Sequence, residues 1–440
     1  MRVVSYVSQR VGALRLPIAS VLAAPPAPGF TATTQVLCVR LLQNLICVMQ
    51  HLTAPFDSFD IINSFVTERV GSFRVDEVKM CAPEQSPDNG TTVTNSKWVL
   101  KARPQGVFNP SKDVELKTES ISTSSLDLAD DEILVESSML SGDAFIRTMM
   151  DEEAYHGALS LGDTIPAIGY GKVVAAGPKS CHKVGTVVSG MIGAQTYAKI
   201  KSSGAFRHIT FPFMTPTASL GLMGLTTGLT AYTGVFYVSR RPRKGETVVV
   251  TGAAGAVGSV AAQLAKATGA RVVGVAGGPM KCQYLAGELK LDGAIDYKNS
   301  EKSLEEQITA TCPDGIDFIY DNVGGTILDQ LLAKINPGGR VVICGAISQY
   351  SGNLNKGKVE GPSNYLKLAE KGAEMKGFNV MQYIAKVPLA LFGMFYYYIR
   401  GKVRMSEHIE VGIQSFPHAL AKMFTGGSNG HIGKMLVKVR

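Results

Sequence analysis

The chain has 440 residues, 45% of them apolar and 18% charged, with 47 Gly and 20 Pro spread along it. That balance excludes disordered, fibrous and low-complexity proteins and allows two or three domains with sizeable cores. The formal charge of +8 is dispersed, with 7 Lys+Arg against 7 Asp+Glu in residues 1–96 and 37 against 29 in the remainder. Without a basic run or a nucleic-acid module, it reads as solubility plus local attraction for an anionic ligand, not as nucleic-acid binding.

At the front, the first acidic residue is Asp57, and Arg2, Arg10, Arg15 and Arg40 precede it among Val, Leu, Ala and Ser. Val3, Val7, Val11 and Leu14 recur near helical spacing with Gln9 and Arg10 off the stripe, the pattern of an amphipathic organelle presequence. Residues 1–96 are therefore expected to be an extension made of a candidate transit peptide and a linker. Such a peptide directs the protein to a mitochondrion or plastid. A start near Met80 removes that argument and leaves the cytoplasm. Val36–Met49 is apolar but holds Arg40 and Gln43 and falls short of the roughly 20 residues of a membrane span. Cys81–Ser96 is rich in Pro, Asn, Thr and Ser and reads as linker. Its Asn89-Gly90-Thr91 sequon carries no weight without a secretory context. None of the seven cysteines, Cys38, Cys47, Cys81, Cys181, Cys282, Cys312 and Cys344, forms a CxxC pair, so they are expected to be thiols in a reducing compartment.

From Trp98 the chain turns to short strand-like runs, among them Glu132–Glu136 and Lys172–Ala175, parted by Gly, Pro and Asp. After about Gly221 the pattern becomes strand, glycine turn, helix and strand, with strands at Thr247–Thr251 and Arg271–Ala276 around a helix at Ala256–Thr268. Further strands are expected at Phe318–Asp321 and Arg340–Cys344, which continues a parallel, doubly wound sheet. A last strand is expected at Lys434–Val439. The fold class is therefore α/β, a Rossmann sheet beside a mostly β domain.

The turn Ala253-Ala254-Gly255-Ala256-Val257-Gly258 follows a buried strand and opens a helix. Gly255 lets the backbone approach a pyrophosphate, Gly258 lets the helix pack on the strand, and the helix start offers N–H groups to an anion. Ala253 occupies the first glycine position of the pattern. An acidic residue about 20 positions on would hold a ribose 2′-hydroxyl, but Val275-Ala276-Gly277-Gly278 stands there with Lys281 just beyond. That favours NADPH, because no carboxylate repels a 2′-phosphate.

Seven separated motifs give a wider resemblance: Arg103-Pro104-Gln105-Gly106, Gly228-Leu229-Thr230-Ala231-Tyr232, Gly245–Val250, Ala253–Ser259, Asp321-Asn322-Val323-Gly324-Gly325, Cys344–Tyr350 and Gly433-Lys434. From about Lys97 to Arg440 the chain resembles the zinc-free medium-chain dehydrogenases/reductases that include prostaglandin/leukotriene reductases and plant 2-alkenal reductases. The resemblance implies a GroES-like substrate domain at 97–220, an NADPH-binding Rossmann domain at 221–378 and a return to the substrate domain at 379–440. It implies NADPH-dependent reduction of the carbon–carbon double bond of an enal or enone, and a homodimer.

Carried over by residue, the resemblance assigns Gly255, Ala256, Val257 and Gly258 to the pyrophosphate and Lys281 and Tyr297 to the 2′-phosphate. It assigns Asn322, Cys344, Gly345, Ala346, Ile347, Ser348, Phe378, Asn379 and Val380 to further cofactor contacts. Tyr350 is the implied proton donor or enolate stabiliser. Three departures stand out: Phe145 occupies a position where the family has a phenol, Gly185-Thr186 replaces a Gly-Asp turn, and His431 stands where a cofactor-contacting Asn is usual. Cys181-His182 is a lone pair, so no metal is expected. A quinone reductase and a non-catalytic NADPH-binding protein are the alternative functions. Val387–Ile399 is expected to be a packed apolar helix too short to span a bilayer.

Overall fold

The computed structural model describes residues 91–154, 156–351, 359, 361–424 and 430–440. The expected presequence, the sequon at Asn89 and Cys38, Cys47 and Cys81 lie outside these residues. In chain order the strands of the first lobe are β1 (Thr92–Leu100), β2 (Val114–Ser122), β3 (Glu132–Ser141), β4 (Ile168–Ala176), β5 (Val187–Met191), β6 (Tyr197–Lys201) and β7 (Ala205–Arg207). The second region runs α1 (Thr230–Phe236), β8 (Thr247–Thr251), α2 (Ala256–Ala267), β9 (Arg271–Ala276), β10 (Gly293–Asp296), α3 (Leu304–Thr311), β11 (Ile316–Asp321), α4 (Gly325–Leu332), β12 (Ile335–Ile343) and β13 (Glu374–Gly377). The chain ends through α5 (Val387–Ile399), β14 (Glu407–Val411), α6 (Phe416–Lys422) and β15 (Lys434–Lys438).

Strands β8 to β13 form a parallel sheet in the order β10-β9-β8-β11-β12-β13. In sequence order that is 3-2-1-4-5-6, the doubly wound arrangement, whose crevice lies at the carboxyl ends of the strands where the order reverses between β8 and β11. A parallel sheet has both faces covered, so its strands read as continuous apolar runs; all five residues of β8, Thr-Val-Val-Val-Thr, are buried. Helix α2 packs through Gly258–Ala265, a face small enough to bring its start close to the turn that feeds it. Val249, Val273, Val275, Ile319, Val341, Leu328 and Leu331 form one core on this sheet.

The first lobe holds a two-stranded sheet, β1-β2, and a seven-stranded sheet in the order β14-β15-β3-β4-β5-β7, with β6 also on β3. The last strand thus returns to the first lobe, pairing Leu436 with Ser141, and Ile133, Leu140, Val173, Met435 and Val437 share its core. Among the described residues no helix is long and apolar enough to cross a membrane; α5 has 13 residues.

Two sequence expectations are corrected. Residues read as the end of a linker begin β1 at Thr92, which pairs with β2 from Thr92–Ser122 to Leu100–Val114. Its polar centre misled, because Asn95 is buried and its partners come from afar. Its amide donates to Glu119 and Gln195, both at 3.1 Å, and its oxygen accepts from the Tyr197 N–H at 2.9 Å. Strand β12 starts five residues before the expected Arg340, since Asn336-Pro337-Gly338-Gly339, which looks like a turn, is a bulge between the Ile316–Ile335 and Phe318–Arg340 pairs.

Candidate active site

Strand β8 ends at Thr251, and Gly252 takes φ +61°, a conformation that favours glycine. The Ala253 N–H then donates to the Val275 carbonyl at 3.0 Å, and Gly255 starts α2 with extended backbone and no side-chain cap. The first N–H groups of α2 therefore have no partner within the helix. Gly255, Ala256 and Val257 are half-buried at this mouth. At Gly258 a Cβ would lie 2.3 Å from the Gly252 oxygen, so helix and turn touch through backbone. Ala253 occupies the first glycine position of the pattern, yet the residue that takes positive φ is Gly252. The missed signal is the Thr-Gly pair at the strand end.

The neighbouring strand ends converge on this turn. The Thr251 hydroxyl donates to Asp321 at 2.7 Å and accepts the Asn322 N–H at 2.8 Å, while the Asn322 amide donates to the Thr251 carbonyl at 2.7 Å. Burial pushes the Asp321 carboxyl above its ordinary range, opposed by bonds from Thr251 and from the Val323 and Gly324 N–H groups. The segment after β12 docks on that loop. Cys344 and Gly345 donate to the Asp321 carbonyl, Ile347 to that of Asn322 and Ser348 to that of Val323, at 2.8 to 3.2 Å, and the Ser348 hydroxyl adds a bond to Val323 at 2.6 Å.

Tyr350 is 8% exposed, and its phenol oxygen accepts the Ala346 N–H at 3.3 Å. A Cβ on Gly345 would stand 3.0 Å from that oxygen, so glycine there leaves the phenol its place. Burial pushes the Cys344 thiol up to about 12, which removes it as a thiolate nucleophile. After β13, Phe378 donates to the Ile343 carbonyl at 3.4 Å, and Asn379 caps the helical turn that begins at Val380 by accepting the Met381 N–H at 2.9 Å.

A second corner lies at the end of β9. Gly278 has φ +92°, and the Tyr297 ring covers Gly277 so closely that a Cβ there would be 2.8 Å from it. Tyr297 remains 41% exposed. Burial lowers the Lys281 ammonium, and the charge of Lys298 lowers it further. The Lys298 ammonium stands 5.9 Å over the Tyr297 ring. The end of β9 carries no acid, but the next strand brings Asp296 here. That carboxylate accepts the Gly278 and Lys298 N–H groups at 2.7 and 2.9 Å.

The end of the chain closes the site. Gly433 donates to the Ala254 carbonyl at 2.9 Å and bridges Gly255; its φ is +76°, and a Cβ would collide with the Ser406 oxygen at 1.9 Å. The nearby His431 keeps a buried Nδ1 without a hydrogen-bond partner. Burial pushes its imidazole down to about 4, helped by the charges of Lys281, His408, Lys422 and Lys434. An orphaned ring nitrogen among cationic side chains, a helix start without a cap and a half-buried lysine just after the Gly277-Gly278 corner that Tyr297 covers together fit the phosphates of a dinucleotide. Of the departures, Phe145 meets His156 edge-on at 5.3 Å and Gly185 has φ +88°. Among the described residues no three His, Cys, Asp or Glu side chains gather so as to hold a metal, and the His182 ring bonds the Ala205 carbonyl at 3.0 Å.

Residues 96–208 match the family described as the N-terminal domain of oxidoreductase, and residues 256–391 the one described as zinc-binding dehydrogenase. The 2-alkenal reductase (NADP(+)-dependent) of Nicotiana tabacum is 34% identical over 349 residues, 79% of this chain and 98% of its own. Prostaglandin reductase 1 of Rattus norvegicus is 34% identical over 345 residues, 78% of this chain and 98% of its own. The chain belongs to the zinc-free medium-chain dehydrogenase/reductase family. Among solved structures, this reductase resembles CurA from Vibrio vulnificus in complex with NADPH, at 30% identity and a TM-score of 0.70 over 78% of this chain and 99% of that one. The segment matched by the zinc-binding description, 256–391, holds three cysteines and no histidine.

Proposed function

We propose that the protein uses NADPH to reduce the conjugated carbon–carbon double bond of α,β-unsaturated aldehydes or ketones. The observation that carries this reading is the docking of Cys344–Tyr350 on the Asp321–Gly324 loop, which brings a buried phenol to the same sheet edge as the glycine turn. Bound NADPH supplies a hydride to the β-carbon of the substrate. The chain's own residues do the rest. Gly255, Ala256, Val257 and Gly258 hold the pyrophosphate through the start of α2, and Lys281 and Tyr297 take the 2′-phosphate. Asn322, Cys344 to Ser348 and Phe378 to Val380 line the edge along which the cofactor lies.

Negative charge grows on the substrate carbonyl oxygen as the hydride arrives, so a donor aimed there stabilises the transition state more than the ground state. Tyr350 is that donor. Accepting the Ala346 N–H polarises its O–H and strengthens donation. The α-carbon then takes a proton from Tyr350 or from water. Parallel assays with 2-hexenal and with an apolar quinone test the reaction, and NADPH oxidation by the quinone alone would replace this reading by a quinone reductase. Binding of NADPH without turnover of either would leave a cofactor-binding protein.

Two predictions concern the phosphates. Lys281→Ala is expected to weaken NADPH binding about 10- to 100-fold, the range of a lost charge-assisted bond, and to leave NADH binding nearly unchanged. Cofactor fluorescence titrations check both. His431 is neutral near pH 7 with its imidazole at about 4. A phosphate at its orphaned Nδ1 raises that value, so binding takes up a proton. Affinity therefore falls as pH rises between the free and bound values, by at most about tenfold per pH unit for one proton. Titrations from pH 5 to 8 are expected to give a steeper fall for wild type than for His431→Asn, a comparison that cancels the titration of the phosphate itself. Equal slopes would exclude proton uptake at His431.

A further inference from the structure

Lys434 and Asp143 are 2% and 6% exposed in their side chains and lie 2.7 Å apart. A buried ion pair seldom adds stability over a well-packed apolar pair, so what this one fixes in place matters more than what it contributes to stability. Asp143 follows the end of β3 and accepts from three segments: the Ser141 hydroxyl, the Thr226 hydroxyl at 3.1 Å and the Lys434 ammonium. Thr226 belongs to the helical stretch Leu225–Leu229 that leads into α1, and α1 packs on α2. Lys434 directly follows Gly433, whose N–H holds the Ala254 carbonyl at 2.9 Å, and its own N–H holds the Ser406 carbonyl at 2.8 Å. A short chain of contacts thus runs from the β-rich sheet through Asp143, Lys434 and Gly433 to the glycine turn.

We propose that Lys434 and Asp143 are a positioning pair that holds the glycine turn, and the cofactor on it, at a fixed distance from the β-rich sheet. This rests on the reductase reading, because hydride transfer is the step that a displacement of about 1 Å slows roughly a hundredfold. The pair acts through the turn and not on the reacting atoms. Thr226 is the third fixed point, since its bond ties the same carboxylate to the helices of the cofactor domain.

The test is the pair of substitutions Lys434→Met and Asp143→Leu made together, which leaves no lone buried charge. This double variant is expected to keep its Tm near wild type, to bind NADPH within about threefold of wild type and to lose about 100-fold in kcat with 2-hexenal. Independently of activity, hydrogen exchange of the amides at 252–258 in the cofactor-free protein is expected to rise at least about tenfold. Wild-type exchange and kcat in the double variant would reduce the pair to packing and overturn the proposal. A wild type that oxidises no NADPH with 2-hexenal would instead defeat the reductase reading, and the proposal with it. Where the double variant does not fold, Thr226→Val decides: raised exchange at 252–258 with kcat lowered several-fold supports the pair, and wild-type values of both overturn it.

Discussion

Gly258→Val is expected to abolish NADPH binding, with a loss above about 100-fold. A Cβ at this position would stand 2.3 Å from the Gly252 oxygen, 2.8 Å from its carbon and 3.0 Å from the Ala253 Cα. These are backbone atoms of the turn and cannot rotate aside like a side chain. Helix α2 would have to move away from the turn, taking its N–H groups out of reach of the pyrophosphate. Gly255→Ala makes the contrast, for its nearest atom is the Gly252 oxygen at 3.2 Å. That variant is expected to keep its Tm while losing affinity, because the methyl group fills the approach to the phosphates. Thermal unfolding with a cofactor titration separates the two. Wild-type affinity in Gly258→Val would show that the cofactor does not use this turn.

Tyr350→Phe is expected to lower kcat about 10²- to 10³-fold, the range for removing one donor to a developing oxyanion, while NADPH affinity changes little. The ring stays, so the packing that makes Tyr350 buried is conserved. The variant does lose the Ala346 bond, and an orphaned N–H costs about 1–3 kcal/mol, so a lower Tm should accompany the kinetic loss. Single-turnover rates at saturating NADPH distinguish the effects: a fold loss with unchanged rate on the folded fraction would make Tyr350 structural.

Much of the cofactor domain was legible because its signals are local. The buried Val runs of β8 and β9 and the glycine turn between them specify the βαβ unit almost to the residue, with α2 ending at Ala267 where Thr268 was expected. The sheet order follows from the alternation of strands and helices. What stayed hidden depends on partners distant in the chain. Asp296 enters the corner at the end of β9 from the next strand, the polar Asn95 is buried by residues about a hundred positions on, and Lys434 meets Asp143 across 291 residues. No spacing rule places such pairs. Phe145 illustrates the same limit: its sequence shows a missing phenol, and only the fold puts the His156 ring against it.

The fate of the hydride separates double-bond reduction from every other reaction of this fold. NADPH carrying deuterium at the transferred position, incubated with 2-hexenal and the enzyme, is predicted to yield hexanal labelled at its β-carbon, read by NMR of the product. Label on the carbinol carbon of 2-hexenol, the former aldehyde carbon, or no labelled product while a quinone is reduced, would contradict it.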